Sequence, residues 1–421
     1  MMKRGETMIR HMLVLVLCLS TVAAAAQPAA DAAKPWETWQ PPQVVLPQPN
    51  AFDTYLKAID LKLRIDQQQG LGGNPPPPLP DGARDRWGEG PQGVPLPERV
   101  ALYAEVLTLV RQALRQECRI PLPNAFDEML PYLADFRSLV RLLAMEAEVK
   151  RIEGDYGAAA ESALDALQVG QAASTQRILI SGLVGIASEA IAFASLDETM
   201  PGLSAAECKT VLAQLLEIER TRVPTAEWLT GEEVLTRGYF KQIVIDPKKH
   251  KQFLAEAKDL GPEANKVLAE LGPKGWEYIG ETYEALQQYA ALPGAKRPAE
   301  PAVPDSTFMK MIVPAMTRVV FKADQALTRF RLHEAELAVR AYLLETGRLP
   351  ESLTALVPGY LATVPVDPFG EGPLRTKAAT NSLLIYSVGP DGVDDGGRAP
   401  KEQFTSRESK GDIVVTVAIP R

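Results

Sequence analysis

The sequence predicts a mainly α-helical protein with a small α+β domain at its C-terminal end. Helical periodicity, marked by recognisable helix caps, dominates residues 50–292 and predicts a multi-helix domain. Residues 293–304 are rich in proline and alanine and have the composition of a linker. Residues 305–421 begin with a long helical stretch and end in β-rich runs at 383–388 and 413–419.

Residues 1–26 have the three features of a cleavable secretory signal peptide. A basic start is followed by a short apolar run, and small residues at its end offer a cleavage site after Ala26. The apolar run is shorter than the roughly 20 residues that a membrane-spanning helix needs. The alternatives are a buried N-terminal helix and lipid attachment at Cys18, which the bulky Leu17 disfavours. The sequence thus predicts a periplasmic or secreted protein.

The mature chain is predicted to be acidic. The 421-residue chain has a net charge of −8, and removal of residues 1–26, with three basic residues and one acidic residue, brings it to −10. Such a chain lacks the basic footprint that nucleic-acid binding requires. No segment after the signal peptide is predicted to cross a membrane. We therefore expect the partner to be a protein or a component of the cell envelope.

Two proline-rich segments flank the first predicted helix. Residues 27–49 form a tail rich in Ala, Pro and Gln, and its Trp36 and Trp39 are expected either to stay tethered or to dock on the body. Asn50 has the side chain of an N-cap for the helix that follows. Residues 70–95 combine glycines with a run of four prolines, which favours polyproline II and ends helices.

The helical domain contains one tetratricopeptide-like hairpin. A predicted helix over residues 131–153 is followed by a Gly-Asp-Tyr-Gly turn and an Ala-rich helix over residues 158–169. No second copy follows at a fixed period, so a repeat array is not predicted. After the linker, a long helix is predicted over residues 306–346. Pro314 either kinks this helix or delays its start, and Gly347 suits its C-terminal stop.

Two cysteines, Cys118 and Cys208, remain after removal of the signal peptide. In an oxidising compartment they permit one disulfide. The alternative is two separate buried thiols, and the sequence does not choose between these interpretations. Their number and spacing do not suit a zinc site.

Residues 337–412 carry an ordered series of short motifs. They are Thr346-Gly347-Arg348-Leu349-Pro350, Pro365-Val366-Asp367-Pro368-Phe369-Gly370, Tyr386-Ser387-Val388-Gly389-Pro390-Asp391-Gly392, Asp394-Asp395-Gly396-Gly397 and Gly411-Asp412. In this series the chain resembles the C-terminal half of the type II secretion major pseudopilins, the G-type family. The resemblance covers under a fifth of the chain. It implies the end of a long helix packed on a small antiparallel sheet.

The chain departs from this family at the start of the similar part. Pseudopilins begin with a prepilin leader and an apolar helix that enters the membrane. Here the similar part lies at the far end of the chain, and its helix contains charged residues such as Lys322 and Asp324. The resemblance therefore implies a pseudopilin-like head without a fibre-forming helix. The helical region is similar to uncharacterised secreted bacterial proteins, which implies no function.

The best candidate for a binding site is an acidic, Gly-rich turn that contains Asp391, Asp394 and Asp395, with Asp412 further along the chain. Calcium takes about six to eight oxygen ligands from carboxylates and carbonyls, often in a flexible loop. The alternative is a solvated Asp-Gly turn. The resemblance implies a calcium loop, most directly through Asp391 and Asp412. Residues 398–410 depart from the family in length and in their basic charge.

No catalytic motif indicates an enzyme class. His333 lacks the second histidine of a zinc-protease helix and is expected on the helix surface or partly buried, and His250 lies in a basic turn. With 53 acidic residues, the sequence cannot choose a carboxylate pair for hydrolysis. We predict an exported, non-enzymatic binding or scaffold protein.

The alternative function is a secreted hydrolase with a carboxylate-based site in the helical domain. A deep pocket with converging carboxylates of shifted pKa would favour this alternative. A broad, shallow groove without such carboxylates would favour the binding protein.

Overall fold

The computed structural model describes residues 34–71, 93–123, 128–256, 263–400 and 404–419. The predicted signal peptide, the first part of the tail and most of the proline-rich loop lie outside these residues. The interpretation of those segments therefore stays a prediction.

The described chain is mainly helical and carries one small sheet, which confirms the predicted fold class. The helices before the predicted linker are α1 (Pro35–Thr38), α2 (Ala51–Gln68), α3 (Leu96–Leu102), α4 (Ala104–Leu114), α5 (Tyr132–Ile152), α6 (Tyr156–Ser174), α7 (Leu179–Thr199), α8 (Ala205–Arg220), α9 (Thr225–Ile245), α10 (Pro247–Glu256), α11 (Glu263–Ala269) and α12 (Pro273–Ala291). The C-terminal part contains α13 (Thr307–Thr346), β1 (Arg375–Ala379), β2 (Ser382–Ser387) and β3 (Ile413–Ala418).

Helix α2 begins at the predicted cap. The Asn50 side-chain oxygen accepts hydrogen bonds from the backbone N–H of Phe52, at 3.2 Å, and of Arg119, at 3.0 Å. The Asn50 amide group donates to the Arg119 carbonyl at 2.8 Å. A single side chain therefore satisfies an open N–H of the helix and also fixes the segment after α4 against its start.

The tetratricopeptide-like hairpin is formed by α5 and α6. Gly154 adopts a φ of +85° between them, and Asp155 caps α6 by accepting from the Ala158 N–H at 3.0 Å. Helix α7 then packs against α6 at very short range, because a Cβ built on Gly170 would lie 2.8 Å from the Ser188 Cβ. This approach needs glycine, since real Cβ atoms do not come so close.

Helix α7 is the most apolar of the long helices in the described part of the chain. In the described part of the chain, the segment 179–202 is long and apolar enough to cross a membrane by length and composition, and 56% of its most apolar window is buried inside the fold.

The long helix α13 runs through two hydrophobic cores. Its C-terminal half joins α2, α4 to α8 and the sheet in the larger core. Its N-terminal half joins α9 and α12 in the second core, where Trp36 of α1 also packs. The helix starts at Thr307, before Pro314, so a delayed start is the wrong alternative. Gly347 ends it with a φ of +71°, as predicted.

The tail tryptophans dock on the second core. The Trp36 ring lies 5.9 Å from that of Phe240 and 6.4 Å from that of Trp276, and the Trp39 ring lies 5.6 Å from that of Trp276. Trp36 is buried. Docking is therefore the correct one of the two alternatives for this segment.

The sheet has the strand order β1-β2-β3, with both pairs antiparallel. Leu383 and Ile385 of β2, with Val417 of β3, are buried in the same core as the C-terminal half of α13. The end of the long helix thus packs on a small antiparallel sheet. Since α13 belongs to both cores, it holds the sheet and the helical region together.

The predicted linker is tied to its surroundings by two arginines. Arg297 donates to the carbonyls of Tyr289 and Ala290 at 2.9 and 3.1 Å, and it forms an ion pair with Asp324 of α13. Arg407, from the C-terminal part, donates to the Gly294 carbonyl at 2.8 Å. These contacts fix residues 293–304 against both α12 and the C-terminal part.

Candidate functional site

The predicted acidic turn is stabilised by the protein's own hydrogen-bond donors. Asp412 is fully buried. Its carboxylate accepts from the backbone N–H groups of Asp395 at 3.3 Å, Gly397 at 2.6 Å and Arg398 at 3.1 Å. A buried carboxylate with three such donors is a structural acceptor that holds the turn in place.

The other aspartates of the turn have separate partners. Asp394 forms an ion pair with Arg375 of β1 and accepts from the Gly396 N–H at 2.8 Å. These donors hold the pKa of Asp394 below its ordinary value, with the backbone N–H as the largest cause. Asp391 accepts from the N–H of Val393 at 3.2 Å, and Asp395 contributes its backbone N–H to Asp412.

Three of the four aspartates of the predicted calcium site, Asp391, Asp394 and Asp412, accept hydrogen bonds from within the chain. Lys377 of β1 also approaches the turn and donates to the Gly396 carbonyl at 2.8 Å. Among the described residues, no three His, Cys, Asp or Glu side chains are grouped so that they could hold a metal ion. Calcium binding therefore stays a prediction from the resemblance, and it would require the turn to exchange its internal partners for the ion.

The cysteines are separate thiols, so the disulfide alternative is wrong in this structure. Cys118 lies after α4, where the Thr175 hydroxyl donates to its sulfur at 3.6 Å. Cys208 is buried on α8. Each thiol packs among its own neighbours, and burial raises the pKa of both to about 11. Both groups therefore stay protonated and weakly reactive at neutral pH.

His333 is more buried than expected. It is 2% exposed, and its Nδ1 and Nε2 lie 2.7 Å from the Arg329 carbonyl oxygen and 2.6 Å from Asp197 Oδ1. With both ring nitrogens in hydrogen bonds, this histidine anchors α13 to α7. It offers no nitrogen to a metal or a substrate in this arrangement.

The structure forms an open cleft between α8 and α13 that the sequence did not predict. Residues 361–366, which follow the 3₁₀ turn Leu353–Leu356, form part of its lining. The cleft has a volume of about 350 Å³. Its lining comprises Leu216, Glu219, Arg220, Arg331, Glu334, Leu361, Ala362, Thr363, Val364, Pro365 and Val366. We call this space the α8–α13 cleft.

Arg331 links the three parts of the cleft wall. Its Nε donates to the Glu219 carboxylate of α8 at 3.0 Å, and its Nη1 donates to the Val366 carbonyl at 2.8 Å. Glu334 follows three residues later and therefore lies on the same face of α13. The Arg331 guanidinium group thus holds both Glu219 and residues 361–366 in place relative to Glu334.

Glu334 is the unusual group of the cleft. It is 2% exposed, and its Oε1 atom is buried with no hydrogen-bond partner among the described residues. Burial, its hydrogen bond with Glu219 and the negative charge of Glu219 raise the pKa of Glu334 far above its ordinary value, in that order of size. Arg331 opposes this shift only in part. The raised pKa favours the protonated form of Glu334 beside Glu219.

The rest of the wall is largely apolar. Leu361 is buried, whereas Leu216 and Val366 are 40% and 54% exposed and form part of the apolar surface around the opening. Another cavity, between α9, α12 and the start of α13, has a volume of only about 20 Å³. Of these two spaces, only the α8–α13 cleft has room for more than a water molecule.

No known family model matches the chain, and neither a curated protein nor a solved structure matches it. The pseudopilin resemblance therefore stays a prediction.

Proposed function

We propose that this chain is an exported, non-enzymatic binding protein of the periplasm or the extracellular space. Its partner is a protein or a component of the cell envelope. A part of this partner occupies the α8–α13 cleft. The observation that supports this proposal is the buried Glu334 oxygen without a hydrogen-bond partner in the wall of a largely apolar cleft. Binding sites commonly combine apolar walls with a few polar groups that orient the ligand.

Glu219 and Glu334 are also the converging carboxyl groups that a hydrolase would need. However, a general acid or base works best when its pKa lies near the working pH. The pKa of Glu334 is raised far beyond that range, and Glu219 is held in an ion pair with Arg331. Glu334 is therefore not poised to release its proton to a substrate at neutral pH, and we place hydrolysis second.

Blocking the cleft tests the binding function. Ala362 is exposed and lines the cleft, so Ala362→Trp fills the space with little expected change in the fold. The matched control is Ala213→Trp, at an exposed position of α8 outside the lining. The mature chain and both variants are titrated calorimetrically with a defined set of amino-acid amides, short capped peptides, sugars and alkylamines.

We expect at least one of these compounds to bind the parent chain and the Ala213→Trp variant, and to lose its binding to Ala362→Trp. Binding that is unaffected by Ala362→Trp would show that the cleft is not the site. Hydrolysis of any of the peptides or sugars, lost in both Glu219→Gln and Glu334→Gln, would instead establish the hydrolase.

A further inference from the structure

His333 joins two long helices through both nitrogens of a buried ring. The side chain is 2% exposed on α13. Its Nδ1 lies 2.7 Å from the carbonyl oxygen of Arg329, one turn earlier on the same helix, and its Nε2 lies 2.6 Å from Oδ1 of Asp197 on α7. Both distances are those of short hydrogen bonds, so a hydrogen atom lies between each nitrogen and its oxygen.

Both partners of the ring are hydrogen-bond acceptors. A backbone carbonyl oxygen carries no hydrogen, and neither does an ionised carboxylate. A neutral imidazole has a single N–H, so each of its two tautomers leaves one nitrogen against an acceptor with no hydrogen between them. The imidazolium ion has an N–H for each partner. The contacts therefore require a second proton, either on His333 or on Asp197.

The surroundings place this proton on the ring. Arg329 donates from Nη2 to Oδ2 of Asp197 at 2.9 Å, and the Asp197 side chain is 44% exposed, so its charge is also hydrated. Burial raises the pKa of Asp197, but the hydrogen bonds and charges of His333 and Arg329 outweigh it and hold this pKa below its ordinary value. The ring of Phe193 lies 4.3 Å from that of His333, and an aromatic face attracts a cation.

Charges further from the ring offset one another. On α7, the buried Glu189 pairs at 2.9 Å with Arg222, which follows α8. On α13, Glu336 lies one turn after the ring and pairs with Arg340 at 2.8 Å. Since neither pair adds a net charge, the contacts at the two ring nitrogens decide the charge of the ring.

We propose that His333 is a buried imidazolium ion that latches α13 to α7, and that this latch weakens when the ring loses its proton. A neutral ring has one N–H for two acceptors, so deprotonation leaves one acceptor without its donor. An unfolded histidine releases its proton above about pH 6.5. The stability that the latch contributes is therefore complete at lower pH and is lost as the pH rises. Because α13 belongs to both hydrophobic cores, the latch links pH to the helix that joins them.

The charge of the ring can be measured directly by NMR. After removal of residues 1–26 the chain contains two histidines, His250 and His333, so a mature chain with ¹⁵N-labelled histidine and His250→Gln shows a single ring. At pH 7 we expect both nitrogens of His333 at the chemical shifts of protonated nitrogens. One protonated and one unprotonated nitrogen at this pH would overturn the proposal.

Asp197→Asn tests the latch itself. The asparagine amide can donate to Nε2, so a neutral ring with its N–H on Nδ1 satisfies both contacts, and we expect the Nε2 signal to shift to that of an unprotonated nitrogen at pH 7. In urea denaturation, the midpoint of the parent chain should exceed that of the variant by a difference that shrinks from pH 6 to pH 9.

Arg329→Gln is the matched control. It removes the other ion pair of Asp197 but keeps the carboxylate and the backbone carbonyl that contact His333, so both ring nitrogens should stay protonated. Protonated signals that persist in Asp197→Asn, or that are lost equally in Arg329→Gln, would contradict the latch. The ring signals of the parent chain decide its charge even where a variant folds poorly.

Discussion

The acidic turn and the α8–α13 cleft contain carboxyl groups in opposite situations. In the turn, Asp412 is buried but accepts three backbone N–H groups. In the cleft, Glu334 is buried with one oxygen left without a donor among the described residues. The turn therefore uses its carboxylate to stabilise the fold, whereas the Glu334 oxygen has no donor among the described residues. The density of acidic residues along the sequence, which singled out the turn, does not distinguish these roles.

The largest expected effect is that of Asp412→Ala. This substitution leaves three N–H groups of the turn without their acceptor, at a cost of about 4 kcal/mol in the free energy of unfolding. Urea denaturation of the mature chain measures it. Asp391→Ala is the matched control, because Asp391 accepts a single local N–H and is only partly buried. A similar, small loss in both variants would contradict the structural role of Asp412.

Glu334→Gln is expected to act in the opposite direction and to stabilise the protein. The folded chain holds a proton on Glu334 that the unfolded chain releases above its ordinary pKa of 4.5. Because the folded state binds more protons, each pH unit above this value lowers the stability by about 1.4 kcal/mol. Glutamine removes this penalty, so the variant should gain up to about 3 kcal/mol at pH 7 and nothing at pH 4.

The pH dependence of that gain is checked by urea denaturation at several values between pH 4 and pH 8. Glu336→Gln is the control, because Glu336 is buried on the same helix but accepts from Arg340 at 2.9 Å. It should not stabilise the protein at any pH. A gain from Glu334→Gln that is the same at pH 4 and pH 7 would mean that Glu334 is ionised in the folded state.

The contact between β1 and the acidic turn contributes less. Arg375 is about half exposed where it pairs with Asp394. Ion pairs at this exposure contribute about 0.5 kcal/mol, reduced by salt, so Arg375→Ala should lower the stability by no more than about 1 kcal/mol. Measurements at low and high salt should converge. A loss as large as that of Asp412→Ala would mean that the ion pair, and not the buried carboxylate, holds the turn.

Local chemistry made much of the fold predictable. The ends of α13 follow from Ser306, which accepts from the Met309 N–H at 3.1 Å, and from Gly347. The hairpin of α5 and α6 follows from the turn at Gly154 and Asp155. These signals lie within a few residues of the structure that they specify, which is why sequence periodicity and capping rules detect them.

The cleft could not be predicted in the same way. Glu219, Glu334 and residues 361–366 lie far apart in the sequence and meet only after α8 packs against α13. A glutamate at a core-facing position of α13 signals an unusual buried carboxyl group. Glu336 also occupies such a position, however, and its carboxylate is paired with Arg340. Likewise, the N–H groups that donate to Asp412 come together only when the turn has folded. The sequence alone therefore suggested a cation, and not these N–H groups, as the partner of the carboxylate.

Calcium provides the smallest expected effect and tests the acidic turn directly. Since Asp412 and Asp394 already have donors from the chain, an added ion has to compete with these contacts to gain its oxygen ligands. We therefore expect millimolar calcium to leave the thermal unfolding temperature of the parent chain unchanged. Magnesium at the same concentration controls for ionic strength. A specific upward shift with calcium, lost in Asp391→Ala, would restore the calcium loop that the pseudopilin resemblance implies. It would also show that the turn retains capacity for a ligand.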